Sequence, residues 1–352
     1  MRKKGRVRLT TLPRIKRTAV IGAGSWGTAL AKLLGDKGEQ VSLWGRDSAH
    51  IARLREERQN SRYLPGALLP VSVEPTDDLA AAVADAQCVV MVVPSHGLRA
   101  IFARLLDDLQ DHTLVVSAVK GIENDTLQTM TQVMGDTLQK KGHTRPVHLG
   151  VLSGPSFAAE VAKGQPTAVT VAFAEKEAAE KVQHLFSTSF FRCYTSADVI
   201  GLELSAAMKN VVAIAAGICD GLGFGLNTRA ALITRGLAEI SRLGVKLGAH
   251  PLTFAGLGGL GDLVLTCTGD LSRNRTVGLK LGQGKSLAQA LSEMTMVAEG
   301  VKTTKSCYNL ARKHGVEMPI LEQTYQVLYE AKDCRQAVQE LFQRTLKEEL
   351  PA

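Results

Sequence analysis

The sequence is short of several things, and each shortage excludes a class. Aromatic residues make up only 5% of the 352-residue chain, which argues against an aromatic-rich binding surface. Six cysteines stand far apart (Cys88, Cys193, Cys219, Cys267, Cys307 and Cys334), with no C-x-x-C pair, so they read as reduced thiols rather than a disulfide framework. Eight histidines show no metal-ligand spacing, and no metal is expected. No uninterrupted apolar run reaches the roughly 18 residues a spanning helix needs. The segment Met1–Arg17 also lacks the apolar core of a secretory signal. The expectation is a cytoplasmic chain with no integral membrane segment. Collagen-like, coiled-coil and low-complexity patterns are missing as well.

What is present is ordinary globular material, 45% hydrophobic and 22% charged, and the length suits two domains. The formal net charge of +8 is localised. Arg2, Lys3, Lys4, Arg6, Arg8, Arg14, Lys16 and Arg17 precede Thr18 without an intervening acid, and they account for the whole excess. Residues 1–17 read as a basic, disordered, solvated extension, and no nucleic-acid partner is expected.

The N-terminal half alternates short β-rich runs with Ala/Leu-rich helical stretches. Strands are predicted at Ala19–Gly22, Val41–Trp44, Val71–Val73, Cys88–Val93, Thr113–Val119, Val147–Leu152 and Thr167–Val171. Helices are predicted between them at Thr28–Lys37, Asp77–Ala86 and Leu98–Leu109. Continuously apolar strands separated by helices imply a parallel sheet covered on both faces. After about Thr195 the strands stop and long helical stretches follow, beginning with Asp198–Cys219 and Thr228–Leu247. The fold class is therefore α/β: a Rossmann-type doubly wound sheet over residues 18–195, then a mostly α-helical domain over 196–342.

The first strand runs into Gly22-Ala23-Gly24-Ser25-Trp26-Gly27, a G-x-G-x-x-G that opens a helix. Gly22 makes the tight turn, Gly24 lets the backbone approach a pyrophosphate, and Gly27 lets helix and strand pack closely. The helix N-terminus offers N–H groups to the anion. Arg46 lies 19 residues beyond Gly27, where an acid would read the ribose 2′-hydroxyl of NAD. A guanidinium there suits a 2′-phosphate, so NADP(H) is preferred, with NAD(H) kept possible by Asp47. Gly284-Lys285-Ser286 resembles the end of a P-loop, but Leu279 holds the position of its first glycine.

Three further segments carry chemistry. Lys120 follows the fifth strand at the carboxyl edge of the sheet, where ligands of open α/β sheets bind. Lys209 is the only cation between Arg192 and Arg229, on a nearly apolar helix that also carries Glu203 and Asn210 two turns apart. A lysine there either snorkels or works as a desolvated catalytic amine. Finally, a glycine-rich turn leads into Asp262, and Ser272, Arg273 and Asn274 cluster a hydroxyl, a guanidinium and an amide, donors suited to a phosphate monoester.

These segments, together with LSGPSFAAEV at Leu152–Val161 and VAEGVKT at Val297–Thr303, closely resemble the bacterial-type NAD(P)-dependent glycerol-3-phosphate dehydrogenases. The resemblance runs from Thr18 to about Tyr329. It implies reversible reduction of dihydroxyacetone phosphate to sn-glycerol 3-phosphate, in the supply of glycerophospholipid precursors, by a homodimer. It implies cofactor contacts at Ser25, Trp26, Arg46, Lys120, Ala158, Arg273, Val297 and Glu299. Substrate contacts are implied at Lys120, Gly154, Ser156, Lys209, Asp262, Ser272, Arg273 and Asn274. Lys209 matches the proton acceptor, with Lys120 beside it and Asp262 and Asn210 expected to orient it. A related hydroxy-acid or sugar-acid dehydrogenase is the alternative, and a non-catalytic dinucleotide sensor a more distant one.

Overall fold

A computed structural model describes residues 15–294, 298–346 and 348–349. Ten strands form: β1 (Arg17–Ile21), β2 (Gln40–Trp44), β3 (Gln59–Asn60), β4 (Leu64–Leu68), β5 (Val73–Thr76), β6 (Cys88–Met91), β7 (Thr113–Ser117), β8 (Val147–Ser153), β9 (Thr167–Phe173) and β10 (Phe191–Ser196). Eight of them make one sheet in the order β10-β9-β8-β7-β6-β1-β2-β5, while β3 and β4 pair as a separate hairpin. The innermost strands are apolar on both faces because helices cover both. All four residues of β6 and all five of β7 are buried.

The chain leaves β1 toward β2 and β5, then crosses back to β6, β7 and β8. The topological switch point therefore lies between β1 and β6, and the crevice for a ligand opens at their carboxyl ends. The turn after β1 and the segment after β6 meet there closely. A Cβ on Gly22 would sit 2.4 Å from the Val92 carbonyl oxygen.

Several expectations are corrected. The sheet is not wholly parallel: β8 and β9 pair antiparallel, and β9 and β10 run together against the rest. The strand expected at Val71–Val73 starts at Val73, because Val71 lies in the turn before it. The β3–β4 hairpin and β10 were not anticipated. The first is short and contains Pro65 and Gly66, which weaken a strand signal. In the second, polar and apolar residues mix at a sheet edge.

Beyond Ser196 the regular elements among the described residues are helices. Its centre is Val199–Gly221, in which Gly201 through Cys219 are all buried. This helix is long and apolar enough to cross a membrane, although the sequence offers no uninterrupted apolar run. Most of it is enclosed by the fold, as suits a core helix. The helix Arg273–Gly282 crosses it with almost no space between backbones. A Cβ on Gly278 would lie 1.9 Å from Ile214 O, and one on Gly217 would lie 2.0 Å from Arg275 O. Glycines on both partners permit this approach. The crossing sets Asn274 against Asn210.

Candidate active site

The turn after β1 has the shape a dinucleotide requires. Gly22 adopts φ +129, open to glycine and strained for other residues. A Cβ on Gly27 would strike the Gly22 carbonyl oxygen at 1.8 Å, whereas Gly24 faces open space. The helix Ser25–Asp36 starts at Gly24 with no side-chain cap, so its first N–H groups are left for an anion. The Trp26 indole N–H is buried without a hydrogen-bond partner. Trp26 packs with Ala158 against Ala29, Leu64 and Ala67, bringing two of the expected cofactor contacts together.

The unanticipated hairpin supports this turn. The buried Asn60 amide donates to Ala23 O at 3.0 Å and to Thr28 Oγ1 at 2.7 Å. Nothing in the local sequence marks Asn60, since its role arises only when β3 folds against the turn. At the end of β2, Arg46 is exposed. Asp47 also caps a helix. Its Oδ1 caps the helix Ser48–Glu57 by accepting from His50 N at 3.0 Å, and its Oδ2 lies 3.9 Å from Arg62.

Lys209 meets Asp262 and Lys120 at one buried carboxylate. Lys209 Nζ donates to Asp262 Oδ1 at 2.5 Å and to Thr266 Oγ1 at 2.8 Å. Lys120 Nζ donates to Asp262 Oδ2 at 2.9 Å, and Ser153 Oγ lies 3.4 Å from the same oxygen. Asp262 is 1% exposed and Lys209 5%. Burial lowers the Lys209 ammonium from its ordinary 10.5 to about 7. Asp262 opposes the shift and the like charge of Lys120 reinforces it. Burial alone would raise Asp262, but the charges of Lys120 and Lys209 outweigh it and hold the carboxyl below its ordinary value. The result is a fixed carboxylate beside an amine poised between its two protonation states. Thr266 was not assigned from sequence, although its i+4 spacing from Asp262 on the helix Asp262–Thr268 places it on the same face.

Asn210 does not orient Lys209. Its amide donates to the Lys120 carbonyl at 3.3 Å, while its Oδ1 accepts from Asn274 Nδ2 at 2.9 Å. Asn274 Oδ1 in turn accepts from Gly300 N at 2.9 Å. This relay ties the lysine-bearing turn, the core helix, the Ser272–Asn274 cluster and the helix Glu299–Lys313 together. Ser272 caps its helix, its Oγ accepting from Arg275 N at 3.3 Å.

The two arginines of the SRNR segment separate in role. Arg275 is tied to Asp220 at 2.8 Å and to Asp270 at 2.9 Å. Arg273 has an exposed face but is hemmed in by protein, which pulls its pKa below the ordinary value, while the charge of Glu299 opposes that shift. Glu299 accepts from Ser95 Oγ at 2.7 Å, and Ser95 packs where a Cβ on Gly121 would lie. Gly154 adopts φ +148, and its carbonyl accepts from Ser156 Oγ at 2.8 Å and faces Lys120 Nζ at 3.5 Å. Val297, and residues 1–14 of the basic segment, lie outside the described residues. Among the described residues no cluster of His, Cys, Asp or Glu could hold a metal.

Comparison with known proteins gives a consistent family. Residues 17–179 match the NAD-dependent glycerol-3-phosphate dehydrogenase N-terminus and residues 198–339 match the corresponding C-terminus. The chain is 62% identical over 331 residues to a glycerol-3-phosphate dehydrogenase [NAD(P)+] of Desulfotalea psychrophila, covering 94% of this chain and 98% of the relative. It is 56% identical over 334 residues to the protein of the same name from Geobacter sp. strain M21, covering 95% and 99%. Among solved structures, a glycerol-3-phosphate dehydrogenase from Coxiella burnetii superimposes with TM-score 0.89 at 40% identity, covering 94% of this chain and 99% of that one. A ketopantoate reductase from Ralstonia eutropha, at 17% identity and TM-score 0.57, shares the fold alone.

Proposed function

Because the chain belongs to the NAD-dependent glycerol-3-phosphate dehydrogenase family, we propose that it reversibly reduces dihydroxyacetone phosphate to sn-glycerol 3-phosphate, with NADPH preferred and NADH usable. The observation that carries this reading is the buried meeting of Lys209 and Lys120 on Asp262. Supply of glycerophospholipid precursors is the corresponding role.

The free helix start at Ser25, the orphaned Trp26 N–H, Ala158 and Arg46 fit a dinucleotide, with Lys120, Arg273 and Glu299 at its reactive end; Val297 is a cofactor contact by family resemblance alone. When bound, the nicotinamide supplies a hydride to C2 of the substrate. The protein's own work is to place that carbon and manage the proton. Arg273, Asn274 and Ser272 hold the phosphate, with Gly154 and Ser156 beside it, which turns binding energy into orientation of C2. As the carbonyl oxygen becomes negative, the Lys209 ammonium stabilises it and gives up its proton. In the oxidative direction the neutral amine takes the hydroxyl proton back. Asp262 keeps Lys209 in place and balances the second charge of Lys120, and Thr266 fixes the rotation of the amine.

The residues 18–195 act as the dinucleotide-binding unit and 196–342 as the substrate and catalytic unit. The enzyme works in the cytoplasm, in keeping with six free cysteines. It works as a homodimer, for which exposed Leu226 and Leu252 on the helical half are suitable contact residues. The test is loss of absorbance at 340 nm when the protein meets NADPH and dihydroxyacetone phosphate, repeated with NADH. Tight NADPH binding without oxidation would overturn the substrate assignment and leave the dinucleotide site standing.

A further inference from the structure

Glu203 is a buried carboxylate that the reaction does not use. It is 3% exposed and lies on the core helix, less than two turns before Lys209. Its Oε1 accepts from Thr131 N at 2.8 Å and its Oε2 from Thr131 Oγ1 at 2.5 Å. Thr131 stands in the first turn of the helix Met130–Lys140, which belongs to the sheet-bearing half of the chain. That helix already has a local capping contact, with Gln132 Oε1 accepting from Thr129 N at 3.0 Å. A carboxylate buried from the other half is a costly way merely to cap it.

The segment between Lys120 and Thr131 explains why Glu203 is there. It projects into the helical half, where Ile122 and Leu127 join the apolar core around the central helix. It is stiffened within itself by the Ile122–Thr129 bridge and by Glu123 N donating to Gln128 O at 2.9 Å. Arg99 grips it from the sheet side through both oxygens of Glu123, at 2.9 and 2.7 Å. The core helix holds the arm at its two ends: Asn210 on the Lys120 carbonyl, Glu203 on Thr131. Glu203 and Asn210 are seven residues apart and so share one face of the helix.

We propose that Glu203 is a positioning residue for Lys120, anchoring the far end of this arm so that both lysines meet on Asp262. Its consequence is electrostatic. The groups acting on Lys209 are Asp262, Lys120 and burial itself, and the adjacent Cys267 thiol is neutral, its pKa pushed up to about 12. Letting the arm slip moves Lys120 away, relieves a like-charge repulsion, and raises the Lys209 pKa toward its free value. The groups facing Glu203, Thr131 and Thr129, carry no charge.

The proposal deepens the reading of Lys209 as the proton-transfer group, but its test needs no turnover. Full-length protein with isotope-labelled lysine side chains is titrated by NMR, and the signal titrating near 7 is identified by its loss in Lys209→Met. Lys120→Met sets the full size of the Lys120 effect. Glu203→Ala should move the midpoint upward by about one unit, in the same direction as Lys120→Met. Glu203→Gln keeps an acceptor for Thr131 N and a donor for its hydroxyl, and should stay near wild type. Thr131→Ala removes only one of the two bonds, and should give a smaller upward shift if Glu203→Ala does not fold. An unmoved midpoint in folded Glu203→Ala, or in Thr131→Ala, overturns the proposal. So does a Glu203→Gln shift as large as that of alanine, because charge rather than position would then be responsible. A protein that titrates as expected but does not oxidise NADPH refutes the enzymatic reading alone.

Discussion

Replacing Lys209 by methionine tests the centre of the mechanism. Methionine fills a similar volume on the buried helix face, and Asp262 keeps a counter-ion in Lys120 at 2.9 Å and a neighbour in Ser153 Oγ at 3.4 Å. The fold should therefore survive, which circular dichroism checks. What disappears is the amine whose pKa burial has brought to about 7, so that near neutral pH roughly half the molecules hold the proton and half can accept one. A general acid or base in that condition contributes about 10²–10⁴ in rate, or roughly 3–5 kcal/mol of barrier. The expected loss in kcat is of that order in both directions, read at 340 nm in single turnovers so that product release does not mask it. The pH profile adds a sharper criterion. In wild type, kcat/KM for reduction should fall above about pH 7 and kcat/KM for oxidation should fall below it, because the two directions need opposite forms of Lys209. Both limbs should vanish from the residual activity of the variant. A folded Lys209→Met enzyme with near-wild-type kcat, or with the same limbs, would refute the assignment.

Arg273→Ala should raise KM for dihydroxyacetone phosphate roughly 10- to 100-fold, the worth of charge-assisted bonds to the phosphate, and an unchanged KM removes it from that site. Arg46→Ala should lower kcat/KM with NADPH about tenfold or more while NADH changes little, and equal losses would mean that Arg46 does not read the 2′-phosphate. Glu239 gives a stability prediction. It accepts from Ile320 N at 2.8 Å and Leu321 N at 3.3 Å, and burial lifts its carboxyl from 4.5 to about 7. A carboxyl raised in the folded state contributes stability that is present below the unfolded value and lost as pH rises through the folded one. Between pH 5 and 8 wild type should therefore lose roughly 2–3 kcal/mol that Glu239→Gln does not lose, measured by urea unfolding. Parallel pH slopes for the two proteins would contradict this.

Much of the molecule is legible in one dimension because its signals are local. Gly22 and Gly27 have glycine-demanding features local to one turn, a φ of +129 at Gly22 and the Gly22 carbonyl against Gly27, and the apolar runs of β1, β6 and β7 report burial on both faces by composition alone. The isolated lysine in an apolar stretch was visible for the same reason, since a charge among alanines and valines needs a partner whatever the fold. Its partners were named through the family resemblance and not by any local pattern of residues. Asp262 is 53 residues from Lys209 and 142 from Lys120, and only the packing of the core helix against the glycine-rich turn and the end of β7 puts both lysines on its carboxylate. Asn210 was expected to orient Lys209 and instead holds the Lys120 carbonyl, because side-chain direction on a buried helix is decided by what packs against it. Asn60 and Ser95 had no signal at all, each being a polar side chain whose partner lies on another element, and Glu203 was placed on one helix face with Asn210 but without its partner Thr131. Residue order alone settles the positions whose backbone conformation and burial depend on neighbours a few residues away. The charges were settled only in three dimensions: a buried lysine near pKa 7 exists only once water has been removed and Asp262 and Lys120 have been brought beside it.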